Sequence, residues 1–393
     1  MLIAALIAVL YSCTDDKPDE KDIKNNIESE NIDPMETTVV PEDTSSMFYF
    51  DIKPDENADI SLNKTKAYQI IEGFGFAHGL GGSAWYDKII NDMGLTMWRT
   101  DISPDIPVDA NWANKRDEVL TLKETADAAG VELRVLLTVW SPPGEFKVKL
   151  PEKYMELSNA KLNAERDKKI PQVTSTNGGT LNPDSYEAYA KWLISALDMY
   201  KSIGIDVYAL SLQNEPGFEE PYDSCVYTSD WYIELHKAVV PIVKAAYPNV
   251  LIFGSECMLD RQAQDLSWWD KFLYNKALAK NPEALALVDR IATHGYTDGV
   301  LALAPSRHRN IWEQEREKYG AGIGKINWMT ETSGYVDAWD PTGGQPGALG
   351  LGVAIQAGLT HGDMAAWVWW SGLDEKDSEF CLAYGSGKTG KKL

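Results

Sequence analysis

From Ile70 onward, short apolar and β-branched runs alternate with stretches whose apolar residues recur at helical spacing. Eight runs read as strands: Gly73–Gly79, Thr96–Ser103, Leu133–Ser141, Val207–Pro216, Leu251–Cys257, Arg290–Tyr296, Ile326–Gly334 and Met364–Gly372. The clearest helix is Pro183–Ile203, where Asn182 stands as a cap, Pro183 takes the first helical position and Tyr186, Ala190, Leu193, Leu197 and Tyr200 trace one face. Ser229–Ala246 and Gln345–Leu359 read as helices too. Near-continuous apolar strands separated by helices imply a parallel sheet covered on both faces. Eight such units predict an α/β fold, a (β/α)8 barrel rather than an open doubly wound sheet. No glycine-rich phosphate fingerprint follows any strand, which disfavours a dinucleotide fold.

The ends of the chain break this pattern. Residues 1–13 open with the apolar run MLIAALIAVL, too short for a spanning helix, and close on Leu10-Tyr11-Ser12-Cys13, which has the form of a bacterial lipobox. The expectation is an exported lipoprotein, lipidated on Cys13 and held at the outer membrane or cell surface; otherwise the protein is periplasmic or secreted. Residues 14–46 carry eleven acidic and three basic side chains and no aromatic one, the composition of a flexible, self-repelling tether. Residues 47–71 read as strands of a partial side β-domain (Phe48–Lys53, Ala58–Leu62 and Ala67–Ile71), and residues 72–393 as the barrel. No helical pattern follows the eighth strand, so Ala365, Trp367 and Trp369 are expected to face water where an eighth helix would lie.

Charge and composition remove several function classes. The chain of 393 residues carries a net charge of −22, which argues against nucleic acid and against a polybasic membrane patch. Four cysteines (Cys13, Cys225, Cys257 and Cys381) are too few for a disulfide scaffold and lack zinc-finger spacing, so no structural metal is expected. Cys225 and Cys257, after the fourth and fifth strands, are expected to be neighbours able to pair in an oxidising space. The 14 tryptophans fit either a large core or a surface for flat apolar ligands such as sugar rings.

In barrels of this kind chemistry gathers at the C-terminal strand ends. Two glutamates stand there: Glu215 in Gln213-Asn214-Glu215-Pro216 after the fourth strand, and Glu331 in Met329-Thr330-Glu331-Thr332 on the seventh. Carboxyls about 5–5.5 Å apart across a narrow barrel mouth suit a retaining glycosidase, in which one attacks and the other protonates the leaving oxygen. A bland alternative makes Glu215 a helix cap and Glu331 a member of a buried ion pair.

The chain resembles glycoside hydrolase family 30, within the large clan of (β/α)8 retaining glycosidases. The matching segments are IEGFGFA (Ile71–Ala77), WRTDIS (Trp98–Ser103), VWSPP (Val139–Pro143), SLQNEP (Ser211–Pro216), ATHGY (Ala292–Tyr296), WMTETSG (Trp328–Gly334) and AWVWWSG (Ala366–Gly372). The resemblance implies Glu215 as acid/base and Glu331 as nucleophile. It further implies Asn214 on the sugar 2-hydroxyl, Tyr296 donating to Glu331, Arg99 paired with the nucleophile, His294 either touching substrate or packing, and Trp140 and Trp370 stacking on sugar faces. Of the adjacent Trp369 and Trp370, it selects Trp370 as the inward one. It implies no cofactor, and a monomer acting on a β-linked polysaccharide such as xylan, β-1,6-glucan or a β-galactan. The family's longer C-terminal stretch has no counterpart here, so the sequence reads as C-terminally truncated and its barrel as weakly stable. Family xylanases that recognise glucuronic acid use an arginine after the eighth strand; here Ser371-Gly372-Leu373-Asp374-Glu375 has none, so strict glucuronoxylan specificity is not expected. A reading of another class is a non-catalytic surface glycan-binding lipoprotein on a relic barrel.

Overall fold

The computed structural model describes Thr65 and residues 67–79, 83–105, 112–265, 267–296, 305–333, 347–374, 381–384 and 391–392. The chain divides into two units, residues 1–68 and 69–393, and the second holds the barrel. The lipobox, the acidic tether and the strands expected over Phe48–Lys53 and Ala58–Leu62 lie outside the described residues. Residues 67–72 form no strand, contrary to the expectation for Ala67–Ile71. Ile70 and Ile71 are exposed, so the apolar spacing there marks no buried face. No helix among the described residues is long and apolar enough to cross a membrane.

All eight expected barrel strands are present: β1 (Gly73–Ala77), β2 (Met97–Asp101), β3 (Arg134–Thr138), β4 (Ala209–Ser211), β5 (Leu251–Met258), β6 (Arg290–Gly295), β7 (Ile326–Thr332) and β8 (Met364–Trp370). They pair in parallel in chain order, and β1 closes on β8 through Phe74↔Trp367 and Phe76↔Trp369, giving a closed (β/α)8 barrel. Its interior is filled by Ala77, Met97, Leu136, Ala209, Phe253, Ala292, Trp328, Ala366 and Val368, small residues beside large ones, as a narrow barrel requires. Gly75 lets β1 approach β2: a Cβ there would stand 2.3 Å from the Met97 carbonyl oxygen.

The helices form where the periodicity places them. Asn182 Oδ1 accepts from the Asp184 amide, and a 3-10 turn at Pro183–Ser185 leads into the helix Tyr186–Ser202, which buries Ala190, Leu193, Leu197 and Tyr200. Ser229–Ala246 is a helix capped by Thr228, and the helix expected over Gln345–Leu359 runs Gly347–His361. Lys147, buried in the loop after β3, donates from Nζ to Ser141 Oγ and to the Thr176 and Ser224 carbonyls, and so ties the loops beyond β3 and β4 together.

The outer face of β8 corrects an expectation. Ala365, Trp367 and Trp369 are buried, not exposed. Trp367 packs on Trp312 of the helix Pro305–Tyr319, with ring centroids 6.0 Å apart. Gly358 of the helix Gly347–His361 lies so close that a Cβ would stand 2.7 Å from the Trp367 ring. The crossover helix that precedes a parallel strand lies over the boundary between two strands, and here it covers the indole. After β8, Leu373–Asp374, Ala383–Tyr384 and Lys391–Lys392 form a small three-stranded sheet.

A carboxylate cluster at the barrel mouth

The C-terminal ends of the strands deliver one connected cluster. Arg99 leaves β2, Glu256 leaves β5, His294 and Tyr296 stand at the end of β6, and Glu331 is on β7. β4 stops at Ser211, so Asn214 and Glu215 sit beyond it in the following turn. The Asn214 amide N–H donates to the Val139 carbonyl at 2.7 Å, and Phe218 N–H to the Glu215 carbonyl at 2.9 Å, which fixes that turn. Glu215 has φ +40°, a left-handed conformation that costs a non-glycine residue, and its carboxylate meets His294 Nδ1.

Arg99 is the hub. Its Nη1 donates to Glu331 Oε2 at 2.7 Å, its Nη2 to Asn214 Oδ1 at 2.7 Å and its Nε to Glu256 Oε1 at 3.0 Å. The Tyr296 hydroxyl donates to the other Glu331 oxygen at 2.7 Å. His294 Nδ1 lies 2.8 Å from Glu215 Oε1 and 3.7 Å from Glu331 Oε1, while its Nε2 faces Glu256 Oε1 at 3.6 Å. Burial opposes the charge on both Arg99 and Glu256. Their mutual attraction outweighs it: Arg99 is raised with help from Glu331, and Glu256 is held below its ordinary range with help from His294 and Ser211. Burial also opposes the His294 charge, but Glu331, Glu215 and Glu256 together raise it to about 9. At neutral pH His294 is therefore an imidazolium, with a proton on each ring nitrogen.

All eight residues singled out in the sequence meet at this end of the barrel. Trp140 lies over Arg99, with the guanidinium carbon 4.9 Å from its ring centroid, and Trp370 lies 5.7 Å from Trp140. Both are half-buried, whereas Trp369 is buried away from the mouth. His294 does more than pack: its Nδ1 faces both carboxylates. Burial lowers the pKa of His78, beside the two tryptophans, to about 4.

Sequence reasoning missed Glu256 and Glu220. Glu220 accepts from Asn214 Nδ2 at 3.4 Å, and burial followed by the nearby Glu215 charge raises it to about 8. One expectation fails: Cys225 and Cys257 are free buried thiols. The Cys225 thiol sits against Tyr227 and the Leu181 backbone, and that of Cys257 against the Gly217 backbone, so each is packed in its own pocket of the core.

Glu215, His294 and Glu331 bring one ligand-type atom each within 4.8 Å of one another. A divalent ion requires a neutral imidazole and free carboxylate lone pairs. Arg99 already occupies Glu331 Oε2 at 2.7 Å, so one of the lone pairs such an ion would need is taken by the guanidinium.

No protein-family model matches the chain. It is similar to glucuronoxylanase XynC of Bacillus subtilis (strain 168), with 25% identity over 337 residues, 80% of this chain and 63% of that protein. The chain thus spans under two thirds of that curated relative's length. Among solved structures it is similar to the glycoside hydrolase family 30 subfamily 8 xylanase Xyn30A from Clostridium acetobutylicum (TM-score 0.57, 21% identity, 82% of this chain and 69% of that one). It is also similar to the endo-β1,6-glucanase BT3312 (TM-score 0.63, 19% identity, 84% of this chain and 76% of that one). The structural likenesses agree with the (β/α)8 barrel seen here.

Proposed function

We propose that the chain is a retaining glycoside hydrolase of the family 30 type, acting on a β-linked polysaccharide by double displacement. The observation that carries this reading is the approach of Glu215 and Glu331 within 4.8 Å across the barrel mouth. An approach of one oxygen from each carboxylate to within 4.8 Å supports the retaining separation of about 5–5.5 Å over the inverting one of about 6.5–9.5 Å.

In this reading Glu331 attacks the anomeric carbon and forms a glycosyl ester. The glycosidic C–O bond breaks, and Glu215 delivers to the leaving oxygen the proton it shares with His294 Nδ1, 2.8 Å away. Water then gives a proton to Glu215 and attacks the anomeric carbon, and Glu331 departs as carboxylate. Arg99 and Tyr296 grip one Glu331 oxygen each, which orients the attacking carboxylate. Asn214 has its carbonyl oxygen fixed by Arg99, which turns its NH2 group toward Glu220 and the sugar 2-hydroxyl. Trp140 and Trp370 present apolar faces for sugar rings.

The substrate classes we favour are xylan, β-1,6-glucan and β-galactan. Incubating the purified protein with a panel of β-glycans and counting new reducing ends tests the reading. Release from at least one of these polymers is expected. Binding without release would leave the glycan-binding relic as the correct account.

A further inference from the structure

Glu256 is a fully buried charge to which the chemistry above assigns no task. It lies on β5, where the pairing with β6 steps from Ser255↔Ala292 to Cys257↔Thr293, so Glu256 is the extra residue of a bulge. Its φ of 57° lies in the left-handed region, which is strained for a non-glycine residue. Strict alternation from the inward Phe253 would point Ser255 inward and Glu256 out. The bulge exchanges them. Ser255 Oγ donates to Asn275 Oδ1 at 2.8 Å, on the helix Tyr274–Lys280 outside the barrel, and Glu256 enters the barrel.

Inside, Glu256 Oε1 takes Arg99 Nε at 3.0 Å and Nη2 at 2.8 Å, accepts from Thr138 Oγ1 at 3.4 Å and faces His294 Nε2 at 3.6 Å. The outer donors of these two cations reach the reacting groups: Arg99 holds Glu331 and Asn214, and His294 holds Glu215. We propose that Glu256 is the positioning residue of this site, a single buried anion that sets the proposed nucleophile through Arg99 and the proposed acid/base through His294. The catalytic part rests on the glycosidase reading; the anchoring part does not.

The charged and titratable groups around His294 are Glu215 beyond β4, Glu256 on β5 and Glu331 on β7, with Arg99 of β2 bonded to two of them and Tyr296 bonded to Glu331. Neutralising Glu256 removes one of three acids that hold the imidazole protonated. Glu256→Gln keeps the side-chain shape and is the first test. By NMR, the wild-type His294 imidazole is expected to titrate near pH 9, and that of Glu256→Gln at distinctly lower pH. On a cleaved glycan, kcat is expected to fall about 100-fold, the loss typical of an ångström-scale misplacement. KM is expected to change by less than about threefold, since Glu256 touches no substrate.

Glu256→Asp keeps the charge and is expected to return the His294 titration toward the wild-type value. Unchanged titration and kcat in a folded Glu256→Gln would overturn the proposal. So would failure of both variants to fold, which would make Glu256 a member of a structural ion pair only. If the wild type cleaves no glycan, the glycosidase reading fails by itself, and the His294 titration still decides whether Glu256 anchors the cluster.

Discussion

The Tyr296 hydroxyl donates a 2.7 Å hydrogen bond to Glu331 Oε1 from the neighbouring strand end. Burial, followed by the Glu331 charge, raises the phenol well above its ordinary range, so it stays a donor at every working pH. A hydrogen bond to a charged group contributes about 1.5–3 kcal/mol. Tyr296→Phe is therefore expected to lower kcat by roughly 10- to 100-fold without a matching loss of melting temperature. Steady-state kinetics beside a thermal melt check this; a kcat equal to wild type would contradict the assigned role.

A leaving-group series separates the two carboxylates. With Glu215→Gln, substrates with poor leaving groups are expected to lose about 10²–10⁴-fold in kcat, the typical contribution of general acid catalysis. Aryl glycosides whose leaving group needs no protonation are expected to retain glycosylation. Equal losses across the series would assign Glu215 another task.

Away from the mouth, Glu315 is buried on the helix Pro305–Tyr319, accepts from Asn275 Nδ2 at 2.7 Å and is raised by burial to about 8. An acid with a raised folded pKa binds its proton more tightly when folded. Stability is therefore lost as pH rises from its ordinary 4.5 to about 8. Glu315→Gln removes this dependence. Its denaturation midpoint is expected to exceed the wild-type midpoint most at pH 8 and to converge with it toward pH 4.5; parallel profiles would refute the linkage.

The two buried cysteines Cys225 and Cys257 give a chemical check. Burial raises the thiol pKa of both Cys225 and Cys257, which suppresses the reactive thiolate. Cys225 and Cys257 are expected to resist alkylation in the native protein and to label fully after unfolding without reductant. Peptide mass spectrometry showing a Cys225–Cys257 bridge would overturn this.

The barrel was legible because its strands are short apolar runs between capped helices, and periodicity reports such runs directly. Glu215 and Glu331 were legible because both follow apolar runs. Even so, β4 ends at Ser211, and Glu215 reaches the mouth from a left-handed turn rather than from the strand. Glu256 was hidden because a bulge reverses the side-chain alternation on which strand reading depends. Glu220, next to Glu219 in a loop, looks like one of many solvated acids, and only the fold reveals that burial and Glu215 keep it near its neutral form. The fate of Trp367 was misjudged because the helix that covers it precedes its strand.

The central claim is that Glu331 becomes covalently bonded to a sugar. A 2-deoxy-2-fluoro-β-glycoside with a good leaving group forms the ester readily but hydrolyses it slowly, because the fluorine destabilises the oxocarbenium-like transition state. Xylosyl and glucosyl versions should be mixed with the protein and its peptides mapped by mass spectrometry. The account predicts one fluoroglycosyl group on the peptide carrying Glu331, absent from Glu331→Gln. Turnover of natural glycan with no adduct, or an adduct on another residue, would contradict it.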